Sequence, residues 1–238
     1  LYLDDINVGT GGFTGNLGEG HVVNENYLGN PDLKWEIAKK GDIGIELGLF
    51  DQLNLTVDLF SERRNNVLIT RGTIPTLIGL ASSALPPINL GRIKNQGYEI
   101  NLKYEKMLSH DFTILANLNY SSARNEVIFA DEAAKPDDYA YKYRMTGYEI
   151  GQIWGYITDD GYYKSQEEID NSGLTYGVGK TPRPGDLIIR DLNGDKVIDE
   201  KDIAPIRHST VPRHTWGAAI SVSHKGFDLS VLFQDHFD

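Results

Sequence analysis

Six stretches of this chain alternate apolar and polar side chains with a period of two, the pattern of strands that present one face to each of two environments. From 42 to 51, Ile43, Ile45, Leu47 and Leu49 alternate with Asp42, Gly44, Glu46 and Gly48; from 53 to 63, Leu53, Leu55, Val57 and Leu59 alternate with Asn54, Thr56 and Asp58. A second pair covers 97–106 and 111–122, with Tyr98, Ile100, Leu102 and Tyr104 on one face of the first, and Phe112, Ile114, Ala116, Leu118 and Tyr120 on one face of the second. A third pair covers 215–224 and 226–234, where Trp216, Ala218, Ile220 and Val222, then Phe227, Leu229, Val231 and Phe233, recur at every other position. Each stretch is about ten residues long, the length a tilted strand needs to cross a bilayer.

The connections are sorted as strictly as the side chains. Short turns are expected at Asp51-Gln52, at Met107 to His110 and at Lys225-Gly226, and between them lie two long excursions, 71–96 and 124–214. Short turns at one rim and long loops at the other describe an antiparallel transmembrane β-barrel, so the fold class is all-β with long extracellular loops. Phe50, Tyr98, Tyr104, Phe112, Tyr120, Trp216 and Phe227 lie near strand ends and would supply interfacial girdles. The alternative is a soluble β-sandwich that binds carbohydrate, in which two apolar faces meet each other instead of lipid. Six strands are too few to close a membrane barrel, for which about eight is the smallest number. The expectation is therefore a partial barrel over 1–238 whose remaining strands belong to a longer parent chain.

Composition narrows the field without deciding it. No run of about 18 apolar residues exists, which excludes a membrane-spanning helix but leaves strands untouched, and a mean hydropathy of -0.36 suits either reading. Thirteen Tyr, eight Phe, three Trp and 25 Gly fit aromatic β surfaces and many turns. With 34 acidic against 23 basic residues, a net charge of -11 argues against a nucleic-acid partner. Cysteine is absent, which removes disulfides, thiolate metal sites and cysteine nucleophiles.

Several motifs resemble the SusC family of TonB-dependent transporters from Bacteroidetes. They are Gly29-Asn30-Pro31-Asp32-Leu33-Lys34-Trp35-Glu36 leading into Asp42-Ile43-Gly44-Ile45-Glu46; Arg63-Arg64-Asn65-Asn66-Val67-Leu68-Ile69; Asn89-Leu90-Gly91 followed by Asn95-Gln96-Gly97-Tyr98-Glu99; Gly185-Asp186-Leu187 running into Asp191-Leu192-Asn193-Gly194-Asp195; and Lys225-Gly226-Phe227-Asp228-Leu229-Ser230. Their order covers nearly the whole chain from Gly29 onward and resembles the middle-to-late barrel of that family. The resemblance implies an outer-membrane location, contact with membrane lipid, and import of an oligosaccharide or peptide substrate. It also implies a SusD-like surface lipoprotein partner and energisation by TonB through an N-terminal part. No plug, TonB-contacting segment or signal peptide is read in these residues.

Two candidate sites sit in the second excursion. Asp191, Asn193, Asp195, Val197, Asp199 and Asp202 fall at positions 1, 3, 5, 7, 9 and 12 of a twelve-residue loop, with Val197 offering its carbonyl. That is Ca²⁺ spacing, although Lys196 stands where the sharp turn prefers Gly and Asp202 is shorter than the usual Glu. The other reading of the loop is an Asx-rich turn whose oxygens cap its own backbone, so Ca²⁺ is a possible ligand and no cofactor is required. Tyr139, Tyr141, Tyr143, Tyr148, Trp154, Tyr156, Tyr162 and Tyr163 crowd the same excursion. Flat aromatic faces beside carboxylates suit sugar rings, so Tyr139, Tyr141, Tyr143, Trp154, Tyr156, Tyr162 and Tyr163 are candidate substrate contacts; the same residues would equally supply the small core that a long ordered loop needs.

Enzymatic chemistry finds no support. The six His residues, at 21, 110, 208, 214, 224 and 236, lack the i, i+4 spacing of a zinc protease and an evident nucleophile partner. Asp137-Asp138 and Asp159-Asp160 are acids in polar loops, where solvation is the usual state. Gly9-Thr10-Gly11-Gly12 reads as a flexible loop rather than a phosphate cradle, and Ser165 to Asp170 as a turn of helix capped by Ser165. The chain is read as a non-enzyme.

Overall fold

One antiparallel sheet dominates the computed structural model, which describes residues 3–12, 19–74, 84–142, 144–177 and 181–238. Its strands are β3 (Ile37–Leu49), β4 (Leu53–Ile69), β5 (Ile88–Ser109), β6 (Phe112–Phe129), β13 (His214–His224) and β14 (Phe227–Phe237), and they lie side by side in chain order. Ahead of them, β1 (Asp5–Gly12) and β2 (Glu19–Tyr27) pair as a separate antiparallel ribbon. Gly9 to Gly12 therefore lie in a strand and not in the flexible loop expected. Glycines carry no side-chain alternation to reveal a strand, and backbone pairing to 19–22 supplies it instead.

The register shows why the six strands belong to one wall. Residues directly opposite one another form rows that cross the whole sheet: Leu47, Leu55, Leu102, Leu118, Ala218, Phe233; and next to it Ile45, Val57, Ile100, Tyr120, Trp216 and, at the edge, Asp235. One residue out of phase, the opposite face carries Glu46, Thr56, Asn101, Asn119, Gly217 and Gln234. A one-residue slip would exchange these faces, so the apolar rows pin the register. The apolar side chains stand open, Ile43 being 66% and Leu229 67% exposed. Among the described residues no second sheet covers them, which removes the sandwich reading: these rows face lipid and the polar rows face the lumen. The sheet does not close, its edges being β3 and β14. No helix among the described residues is long and apolar enough to cross a membrane.

The three short-rim turns fall near their expected places, the first one residue longer and the second two residues shorter than expected. Phe50 and Asp51, at φ 57° and 52°, form the bend after β3, closed by Gln52 N–H donating to the Leu49 carbonyl at 3.2 Å. The second turn is His110-Asp111 rather than Met107 to His110, and Lys225-Gly226, at φ 47° and 84°, is the two-residue turn read from sequence. Adjacent hairpins are stitched there, with Glu105 N–H donating to the Gln52 carbonyl at 2.8 Å and Lys225 N–H to the Asp111 carbonyl at 3.1 Å.

At the other rim the strands outrun their expected ends: β4 continues to Ile69, β5 starts at Ile88 and β6 reaches Phe129. The excursions shrink from 71–96 and 124–214 to 70–87 and 130–213. These extensions carry Arg64, Asn65, Arg92 and Lys94, and a ladder that has left the bilayer no longer needs an apolar face, so the alternation that marks the strands fades. Asn66 at φ 58° sits in an irregular step of the β4–β5 register between Arg64 and Val67.

The second excursion is a small domain in its own right. It contains β7 (Gln152–Tyr156) paired with β12 (Ile203–Ser209), β8 (Thr158–Tyr162) paired with β10 (Leu187–Ile189), and β9 (Thr175–Tyr176) running parallel to β11 (Val197–Ile198). A short α-helix, α1 (Gln166–Asn171), starts at Ser165, whose hydroxyl accepts the Glu168 N–H at 3.2 Å, as its sequence indicates. Tyr163, Ile169, Ile198 and Ala204 are buried and make its core.

Candidate functional site

Above the bilayer rows the lumenal face of the wall changes character. Ile93 and Val127 are directly paired and carry the same strand parity as Asn101 and Asn119, so they project to the lumenal side, and Val67 pairs with Gly91 one step further out. Here the polar face becomes apolar. The segment from Arg144 to Trp154 lies over it and encloses a cavity of about 540 Å³, with Val67, Ile69, Ile93, Val127 and Phe129 from the wall and Met145, Ile150 and Trp154 from the cover.

The cover is held by backbone pairing and by two acids. Val127 N–H donates to the Tyr148 carbonyl and Gly147 N–H to the Val127 carbonyl, both at 2.8 Å, so residues 147–148 continue the ladder beyond β6. Asn125 Oδ1 accepts the Ile150 N–H at 2.7 Å. The Glu132 carboxylate accepts from Met145 N–H at 2.6 Å, Thr146 N–H at 3.0 Å and the Thr146 hydroxyl at 2.8 Å. Glu149 is buried, and its carboxylate takes Arg213 Nε at 2.7 Å, Arg213 Nη2 at 2.6 Å and Ser209 N–H at 3.3 Å, with Arg124 Nε at 3.6 Å. A buried carboxylate needs such partners, because desolvating a charge costs several kcal/mol.

A third acid joins the two excursions. Asp131 accepts the Thr73 hydroxyl at 2.8 Å and the Gly72 N–H at 3.1 Å. The Thr73 hydroxyl, against partial desolvation and with help from the backbone N–H groups of Thr73 and Gly72, holds its carboxyl below the usual range.

The aromatic residues named as candidate substrate contacts are dispersed. Trp154 lines the cavity and meets Tyr148 edge to face, with centroids 4.7 Å apart. Tyr139 donates its hydroxyl to Glu200 at 2.5 Å and lies under the Lys135 ammonium. Tyr156 pairs with Ile203 across β7–β12, and burial together with the nearby Asp199, Asp202 and Glu200 charges raises its pKa. Tyr163 is fully buried and shares a 3.0 Å hydroxyl bond with Tyr176, whose pKa burial pushes up. It is loop core, the packing role weighed for these rings. Tyr162 and Tyr141 are exposed, and Tyr143 lies outside the described residues.

The Asp191–Asp202 loop has the hydrogen bonds of an Asx turn. Asp191 accepts Gly194 N–H at 2.7 Å and Lys196 N–H at 2.8 Å; Asn193 accepts Asp195 N–H at 3.1 Å; Asp195 accepts Val197 N–H at 2.8 Å. Asp199 caps Lys201 N–H at 2.8 Å, and the buried Asp202 accepts Leu192 N–H at 2.8 Å and Asp199 N–H at 3.0 Å. Lys196 stands at φ 64°, the conformation that Gly usually serves in such loops. Among the described residues no three His, Asp or Glu side chains are grouped to hold a metal ion.

Sequence reasoning missed Glu149, Arg213 and the apolar wall patch. The patch had a signal: continuing the parity of Glu99 and Asn101 back along β5 puts Ile93 on the polar face. Glu149 had none, since its partner lies 64 residues further on.

The known proteins that this chain is similar to agree with its architecture. A family model described as TonB dependent receptor-like, beta-barrel matches residues 6–224. TonB-dependent receptor P3 of Formosa agariphila is 28% identical over 217 residues, covering 86% of this chain and 21% of the relative. TonB-dependent receptor P26 of the same organism is 28% identical over 212 residues, covering 86% and 20%. The chain thus spans about a fifth of the length of these curated relatives. The solved RagAB peptide transporter superposes with a TM-score of 0.67 at 18% identity, over 98% of this chain and 24% of that one; the RagAB peptide importer in its open-open state gives 0.64 at 23%, with the same coverage. At such identities the likeness speaks for the fold. An open meander with a lipid face and a lumenal face, matched by that model over most of its length, belongs to the TonB-dependent receptor-like β-barrel family as a section of outer-membrane wall.

Proposed function

We propose that this chain is wall and extracellular mouth of an importer that carries nutrients across the outer membrane, driven by TonB acting on another part of the parent and aided by a SusD-like surface lipoprotein. The observation that carries the reading is the two-faced register: apolar rows that run across the strands on one side, broken only by Asp235 at the β14 edge in the two rows traced, and Thr56, Asn101, Asn119 and Gln234 on the other. A wall of that kind encloses a polar lumen, and its larger excursion folds over the mouth where a solute arrives. Oligosaccharide and peptide are the substrate classes kept in view, the second supported by the peptide cargo named for the RagAB structures. No catalytic role is proposed.

The test uses the full-length parent. Extracted in detergent, it is expected to run as a heat-modifiable barrel and to co-purify with a surface lipoprotein; cells lacking it are expected to lose TonB-dependent uptake of their oligosaccharide or peptide nutrient. A parent that folds without detergent, or whose loss leaves uptake of both classes intact, overturns the reading.

A further inference from the structure

We infer that the cavity between the wall and its cover is a binding pocket for an apolar side chain, aromatic or branched aliphatic, of the imported molecule, which makes the cargo peptide-like rather than a plain oligosaccharide. The inference rests on the import reading and sharpens it.

The walls carry the chemistry. Val67, Ile93 and Val127 form the floor, and Met145, Ile150 and Trp154 the cover. At about 540 Å³ the cavity lies within the range of ligand pockets, roughly 300–1,000 Å³, and exceeds the voids that ordinary packing leaves. A sugar ring needs donors and acceptors around its rim as well as an aromatic face. The two carboxylates of this lining are already engaged, Glu132 by Met145 and Thr146 and Glu149 by Arg213. The Gln152 amide donates to the Ile153 carbonyl at 3.1 Å, and apart from the Arg144 guanidinium what is left to meet a guest is hydrocarbon, which binds hydrocarbon through release of water.

Position favours a guest over more of the barrel itself. The strands of a longer chain would pair at the sheet edges, β3 and β14, and neither edge contributes a residue to the cavity. The pocket opens on the lumenal face, above the rows that mark the bilayer and under the larger excursion, on the route of an entering solute. The apolar floor at Ile93 and Val127 lies on the face that carries Thr56, Asn101, Asn119 and Gln234 lower in the wall.

The experiment measures binding to the purified full-length parent by calorimetry. The probes are two heptapeptides of Gly and Ser that differ only in a central Leu or Ser, with maltoheptaose as the glycan probe. The Leu peptide is expected to bind about tenfold more tightly than the Ser peptide, the effect of burying one such side chain. Met145→Gln with Ile150→Asn, both at half-exposed positions that tolerate polarity, is expected to erase that preference. Met107→Gln, at the opposite rim, is expected to preserve it. Equal or absent peptide binding in the unaltered protein overturns the inference. So does a Leu preference that survives the double substitution, or maltoheptaose binding that the double substitution abolishes. A Leu preference in a parent that mediates no cellular uptake leaves the pocket standing and removes the import reading, so the two fail separately.

Discussion

Arg213 points both Nε and Nη2 at a single oxygen of Glu149, Oε1, at 2.7 and 2.6 Å, and so fastens the cover of the barrel mouth to the start of β13. The same arginine is built into the wall: its carbonyl accepts Ala123 N–H at 2.9 Å and its N–H donates to Asp238 Oδ1 at 2.8 Å. Glu149→Ala would leave the guanidinium facing a desolvated gap, at a cost on the order of 3 kcal/mol. The expected result is faster hydrogen exchange through 144–154, with the heat-modifiable barrel retained. A double-mutant cycle with Arg213→Ala should show strong coupling, and additive effects would mean that the pair does not act as a unit.

The two faces of the wall should respond oppositely to charge. Leu102 and Leu118 are directly paired in the middle of the apolar rows, whereas Asn101 and Asn119 are paired on the lumenal side. Leu102→Arg is expected to cost about 2–4 kcal/mol of folding free energy in lipid vesicles, and Asn101→Lys less than about 1 kcal/mol. Equal penalties would contradict the assignment of faces.

Gly97 lies inside β5 beneath Phe60, and a Cβ there would overlap the Ser122 carbonyl oxygen and approach Phe60 Cζ to 2.6 Å. Backbone and ring therefore approach Gly97 closely in mid-strand. Gly97→Ala should cost about 1–3 kcal/mol by forcing β5 and β6 apart. Gly41, which has nothing within 4 Å of its would-be Cβ, serves as the comparison, and Gly41→Ala should be close to neutral. Folding yields of the two variants in lipid check the contrast.

How much of this was legible follows from where the bilayer acts. Between Ile43 and Leu49, or Leu53 and Leu59, lipid on one side and water on the other imprint a strict period of two. Beyond them, at Arg63 to Asn66, the ladder continues outside the bilayer and the alternation fades, while at Ile93 the apolar residue falls on the opposite face because the cover, not lipid, meets it. The crowd of tyrosines was visible but not its sorting, because Tyr163 as core and Trp154 as pocket wall differ only in which partners the excursion folds against. Glu149 resembles any loop acid until Arg213 is placed beside it.

Asp138 and Lys201 tie the loop around 138 to the Asp191–Asp202 loop through a 2.8 Å ion pair. Lys201 beside Asp138 holds that carboxyl below its ordinary range, and Asp138 raises the Lys201 ammonium above its own. A depressed acid stabilises above its unfolded pKa, ~3.9, and loses that contribution as pH falls through the lower folded value; a raised lysine stabilises below its unfolded pKa, ~10.4, and loses it as pH rises through the higher folded value. The tether should accordingly hold between about pH 4 and pH 10.4. Proteolysis near Tyr139 at the two extremes, using acid- and alkali-active proteases, should rise over neutral pH, and Lys201→Met should abolish the difference.

Removal of metal gives the last test. In the Asp191–Asp202 loop every carboxylate and amide at the cation positions already accepts a backbone N–H, Asp191 and Asp202 two each, so the turn is closed by its own donors. On that geometry EDTA should leave hydrogen exchange of 191–202 unchanged. Asp202→Asn should loosen the loop by about 1–2 kcal/mol, because a neutral amide is the weaker acceptor for Leu192 and Asp199. If millimolar Ca²⁺ instead slows exchange across the loop, and Asp191→Asn cancels that effect, the remaining lone pairs of these oxygens bind a cation. The spacing at 191, 193, 195, 197, 199 and 202 would then be a calcium site built on an Asx-turn frame.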